Sequence, residues 1–90
     1  MAMKRVPKPI VVARVQTGVR IEKRLLKVLK ALAEYKDMSL SDLLEGIVLH
    51  ALEGKAPFGP ETLGHIADLR RIYGLDLDAR ASHRMQDQKA

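Results

Sequence analysis

One stretch of this chain alternates over eight residues. Val15, Thr17, Val19 and Ile21 face one way and Arg14, Gln16, Gly18 and Arg20 the other; after Glu22 the apolar residues recur every three or four positions. Period two marks a half-buried strand and period 3.6 a helix. The stretch from Ile10 to Ile21 is rich in β-branched residues, so it reads as a strand with a polar outer face. A strand leaves a row of backbone donors and acceptors that need a neighbour, and no second strand signal of comparable quality follows. The expected neighbour is the same strand from a second copy.

Size points the same way. Ninety residues make one domain at most, with a modest core unless something reinforces it. The chain has no cysteine and no paired Cys/His cluster, so neither a disulfide nor a structural zinc serves. Association of two copies is the remaining reinforcement. Absence of cysteine also fits a reducing compartment. The apolar run near the N-terminus ends at Arg14, too short for a signal-peptide core or a membrane span, so a soluble cytoplasmic protein is expected.

Beyond the strand the pattern is helical. Leu25, Val28, Leu29, Leu32 and Ala33 share one face of a helix expected from Lys23 to about Lys36, with Lys23, Arg24, Lys27, Lys30 and Glu34 elsewhere. Ser39 is a good N-cap for a second helix from Leu40 to about Glu53, with Asp42 at its third position and Met38 and Leu43 placed for a hydrophobic staple. Gly54 supplies its stop. A linker of turn-formers, KAPFGP, then leads to Pro60 at the first position of a third helix, amphipathic through Leu63, Ile66, Leu69, Ile72 and Tyr73 and ended by Gly74. The expected organisation is a flexible basic arm over 1–9, a strand-and-two-helix domain over 10–54, a linker and helical extension over 55–78, and a polar, disordered tail over 79–90.

Charge is segregated. Residues 1–30 carry nine basic groups against Glu22 alone, hence +8, while the other sixty carry seven basic and ten acidic groups, hence −3. A basic head on a mildly acidic body suits a polyanion, either nucleic acid or an anionic membrane surface. Any single lysine of the head, taken alone, is better read as solvating a helix face.

The order strand, helix, tight turn and capped helix, carried by VRIEKRLLKVLKALAEYKDMSLSDLL, resembles the ribbon-helix-helix family of bacterial DNA-binding proteins, the Arc and methionine repressor type. The match covers roughly residues 15 to 51, and its most specific part is the spacing of eighteen residues from Ile21 to Ser39. The resemblance implies a mainly α fold with one short β-strand: an intertwined homodimer whose strands pair in an antiparallel ribbon that enters the DNA major groove, here with a third helix appended. It implies sequence-specific duplex binding, as in a transcriptional repressor. The base-contacting positions would be Gln16, Gly18 and Arg20, and the phosphate-holding helix start Ser39, Leu40 and Ser41. Arg20 can donate two bonds to guanine and Gln16 can pair with adenine. Gly18 offers no side chain, so either the backbone comes close to a partner there or the ribbon has a bulge. The N–H groups, helix dipole and hydroxyl at Ser39 make an anion site that Asp42 partly opposes. Further phosphate contacts would come from Lys4, Arg5, Lys8, Arg14, Lys23 and Arg24.

Two other readings compete. The first helix could be a basic amphipathic element on a membrane, although its apolar stripe is more simply a core face. Residues 55–90 could instead bind a protein, as in ribbon-helix-helix antitoxins, anchored by Phe58, Leu69, Tyr73, Leu75 and Leu77. An enzyme is not expected. His50, His65 and His83 match no metal-ligand pattern, and the carboxylates Asp76 and Asp78 have no base, nucleophile or phosphate loop beside them, so neither metal nor cofactor is expected.

Overall fold

The computed structural model describes residues 8–88. Three helices of 13 residues each, α1 (Lys23–Tyr35), α2 (Leu40–Leu52) and α3 (Pro60–Ile72), are followed by a 3-10 turn at Ala79–Ala81. Among the described residues there is no strand. This corrects the expected ribbon-helix-helix architecture: residues 8–21 make no backbone hydrogen bond, and every side chain from Lys8 to Arg20 is exposed. The physical reason is that alternation fixes which side chains would share a face, whereas a strand exists only when another strand accepts its hydrogen bonds. None of the described residues offers one, so over residues 8–88 the fold is all-helical with a non-helical N-terminal segment.

Each helix begins at a cap that the sequence supplies. Glu22 caps α1, its carboxylate accepting from the Leu25 N–H at 2.8 Å, a role not evident from a helix pattern that simply starts at Lys23. Ser39 Oγ accepts from the Asp42 N–H at 3.1 Å at the head of α2. Pro60 opens α3, where its missing N–H costs nothing.

All three helices end alike. The chain turns left-handed at Asp37 (φ 54°), Gly54 (φ 72°) and Gly74 (φ 64°), and the next residue's N–H reaches back to a helix carbonyl: Met38 to Ala33, Lys55 to His50, Leu75 to Arg70. Glycine suits two of these turns, and Asp37 bears the steric cost of a β-carbon at the third.

α1 is the centre of the body, packing on α2 and on α3, which do not pack on one another. The core is Val28, Leu32 and Ala33 of α1, Leu43 of α2, Leu69 of α3 and Leu75 just beyond it. Leu25, Leu29, Met38, Ile47, Phe58, Ile66 and Leu77 pack around these. Tyr35 stacks on His65 with ring centres 3.6 Å apart, and Lys36 Nζ donates to Thr62 Oγ1 at 3.4 Å, so the end of α1 is tied to the start of α3 by polar as well as apolar groups. The bare outer sides of α2 and α3 leave Val48, Leu49, Leu52, Leu63 and Ile72 in solvent.

Candidate nucleic-acid interface

The contact residues expected from the sequence sit on three elements. Lys8, Arg14, Gln16, Gly18 and Arg20 are exposed on the N-terminal segment; Lys23 and Arg24 stand in the first turn of α1; Ser39, Leu40 and Ser41 lie at the start of α2. Lys4 and Arg5 fall outside the described residues.

The structure brings Arg14 to the start of α2. Its guanidinium forks onto Glu45, Nε to Oε2 at 2.9 Å and Nη2 to Oε1 at 2.8 Å, with Asp42 Oδ1 3.6 Å away. The hydrogen bond from Arg14, more than its charge alone, holds the Glu45 carboxyl below the usual carboxylate range. Glu45 in turn holds the Arg14 guanidinium above its ordinary value. The first-turn N–H groups of Leu40 and Ser41 have no intrahelical acceptor, as at any helix start, but Asp42 and Glu45 set two carboxylates beside them. Arg14 offsets one of these carboxylates, so the anion site expected there is opposed by one net negative charge, as the sequence implies from Asp42.

Arg24 is held from two sides. Its Nε donates to Glu22 Oε1 at 2.8 Å, and its Nη1 donates to Asp76 Oδ1 at 2.8 Å and to the Gly74 carbonyl at 3.0 Å. It thereby ties the start of α1 to the turn after α3. The Arg24 bond, followed by the Leu25 N–H, lowers the Glu22 pKa. Arg20 meets Asp87 of the C-terminal tail. Gln16 has no hydrogen-bond partner among the described residues.

Gly18 stands in open space within this chain. A β-carbon there would meet nothing within 4 Å.

The lysines behave differently from the arginines. Lys23, Lys27 and Lys30 are exposed and have no carboxylate within ion-pair distance among the described residues. Their spacing of four and then three residues aligns them along one side of α1, in a row about 10 Å long at 1.5 Å per residue. Lys27 and Lys30 are not among the phosphate contacts expected from the sequence, although their helical spacing is readable there. The carboxylate partners Glu45, Asp76 and Asp87 lie 31, 52 and 67 residues from their arginines, and no local pattern reveals them.

The features behind the other readings are used elsewhere. The stripe of α1 that would enter a membrane supplies Val28, Leu32 and Ala33 to the core, and among the described residues no helix is long and apolar enough to cross a membrane. Of the five apolar residues considered as protein-binding anchors, Leu69 and Leu75 are buried, Phe58 and Leu77 pack against the core, and Tyr73 alone is exposed. His50 bonds the Gly46 carbonyl through Nδ1 at 2.7 Å, and His65 lies under Tyr35.

Fold and charge layout together define a small three-helix domain with a cationic flank. Compared with known proteins, the chain matches no family model, no curated protein and no solved structure.

Proposed function

We propose that this protein binds double-stranded DNA sequence-specifically through its basic head, as a homodimer and in the manner of a transcriptional repressor acting in the cytoplasm. The observation that carries the reading is the exposed, unpaired lysine row of α1, lying next to a basic segment whose side chains are all in solvent while the apolar face of the same helix is committed to the core. A membrane surface would need that apolar face; a phosphate backbone needs only the cations. A duplex is favoured over single strands because the head has no aromatic side chain on which bases could stack.

In this reading Lys23, Lys27 and Lys30 follow the phosphate backbone, with Lys4, Arg5, Lys8, Arg14 and Arg24 adding to the field. Gln16 and Arg20 reach base edges from the N-terminal segment, each good bidentate contact being worth about 1–3 kcal/mol of discrimination. Gly18 contributes space rather than a contact. Ser39, Leu40 and Ser41 offer backbone N–H groups to one phosphate. Two copies are supported by the solvent-exposed Val48, Leu49 and Leu52 on α2, an apolar side of that helix that the body leaves uncovered.

The test is a salt titration of duplex binding by fluorescence anisotropy, comparing wild type with a variant carrying Lys23→Ala, Lys27→Ala and Lys30→Ala. Three lost phosphate contacts lower the slope of log K against log salt by about 2.7. An unchanged slope shows that the row does not touch the backbone. Sedimentation velocity in the micromolar range gives the oligomeric state, and a monomer at those concentrations contradicts the homodimer.

A further inference from the structure

Among the described residues of the head, the arginines are paired with carboxylates in the unbound protein, whereas the lysines are not. Among the described residues of the head, Arg14 pairs with Glu45 and Asp42, Arg20 with Asp87, and Arg24 with Asp76 as well as its neighbour Glu22. These partners come from α2, from the tail and from the turn after α3, so the acidic body supplies a carboxylate to each arginine in turn. A guanidinium fork fits a carboxylate and a phosphate or guanine edge by the same donor geometry, and it cannot satisfy both at once.

We infer that Glu45, Asp76 and Asp87 are internal competitors for the nucleic acid, holding Arg14, Arg24 and Arg20 in the free protein and releasing them only to a duplex that offers each arginine more than its carboxylate does. This rests on the DNA-binding reading and adds regulation to it. The lysine row provides first, sequence-independent contact. The arginine contacts follow by exchange, so a poor sequence gains the lysines' attraction but not the arginines'. The competition raises discrimination at the cost of affinity.

Exposed pairs of this kind are individually weak, so releasing one changes affinity by up to about fivefold. Simply removing any negative charge from the protein also tightens polyanion binding, and the experiment must separate the two effects. It uses the full chain and a fluorescein-labelled mixed-sequence duplex of about 20 base pairs at low salt, with wild type, Glu45→Gln, Arg14→Ala, the double variant, and Glu61→Gln as a charge-matched control. Glu61 is exposed in the first turn of α3 and has no cationic partner among the described residues.

The expected result is that Glu45→Gln tightens binding two- to fivefold more than Glu61→Gln does, and that this excess disappears in the Arg14→Ala background. Equal tightening by both glutamine variants, or an excess that survives without Arg14, overturns the competition while leaving DNA binding intact. A wild type that binds no duplex overturns the DNA-binding reading and this inference with it. Circular dichroism checks that each variant is folded, and Asp76→Asn with Arg24→Ala repeats the cycle at a second pair should Glu45→Gln unfold.

Discussion

Val11 and Val28 are the same residue in two regions of one small protein. Val11, on the N-terminal segment, is 96% exposed, whereas Val28, on α1, is 4% exposed. The segment over residues 8–22 is as apolar as the helices, with Ile10, Val11, Val12, Val15 and Val19 all in solvent, yet none of it enters the core. The difference lies in the backbone. A helix satisfies its own N–H and C=O groups, so it needs a neighbour only for one face of side chains, and α1 finds two, in α2 and α3. The N-terminal segment needs a partner for its backbone before packing its side chains gains anything, and none of the described residues provides one.

That contrast can be broken most sharply at Leu32, which is 2% exposed at the middle of α1. Leu32→Ala should cost about 2–5 kcal/mol in urea unfolding followed by circular dichroism, a large share of the stability of a domain with so few buried residues. Val11→Ala should cost less than about 0.5 kcal/mol in the same assay. A cost at Val11 near that at Leu32 would mean that the segment is buried in solution, against a second copy or the body, and the contrast would fail.

Smaller changes sharpen the account of the body. Ser39→Ala removes the cap of α2 and should destabilise by about 1 kcal/mol, with Ser39→Asp close to wild type. Asp37→Gly relieves the left-handed strain at the end of α1 and should stabilise by up to about 1 kcal/mol, since the turn is already formed around φ 54°.

The pH dependence has a definite sign. Glu22 and Glu45 have carboxyl pKa values lowered chiefly by hydrogen bonds from Arg24 and Arg14. A group whose folded pKa is depressed contributes stability that is present above its unfolded pKa and lost as pH falls through the folded one. The midpoint of unfolding should therefore fall as pH drops below the usual carboxylate range. Arg24→Ala and Arg14→Ala should each flatten that fall, and an acid limb unchanged by both would show that the pairs carry none of it. The smallest expected effect is at Gly18. Gly18→Ala has open space and should change stability by less than about 0.5 kcal/mol.

How much of this was legible in the sequence follows the same division. Helix starts at Lys23, Leu40 and Pro60 and stops at Gly54 and Gly74 are local chemistry: caps, a proline without an N–H, and glycines that turn left-handed. The strand was misread because Val15, Thr17, Val19 and Ile21 alternate whether or not anything pairs with them. In the candidate site the cations were readable one by one, but their pairing was not. That Arg14 meets Glu45 and Arg24 meets Asp76 depends on where α2 and the turn after α3 come to rest, which only packing determines. The cap at Glu22 lay between these cases: its identity was visible, yet glutamate is not among the residues that ordinarily announce a cap.

The central claim is that the basic head reads a DNA sequence, and the most direct test is selection from a random duplex library with wild type and with Arg20→Ala. The account predicts that wild-type selection converges on a short palindrome, and that Arg20→Ala loses the preference for that sequence while retaining most of its salt-dependent affinity for duplex. Convergence on nothing, with every fragment bound alike and Arg20→Ala indistinguishable from wild type, would contradict it and leave the head a non-specific electrostatic surface.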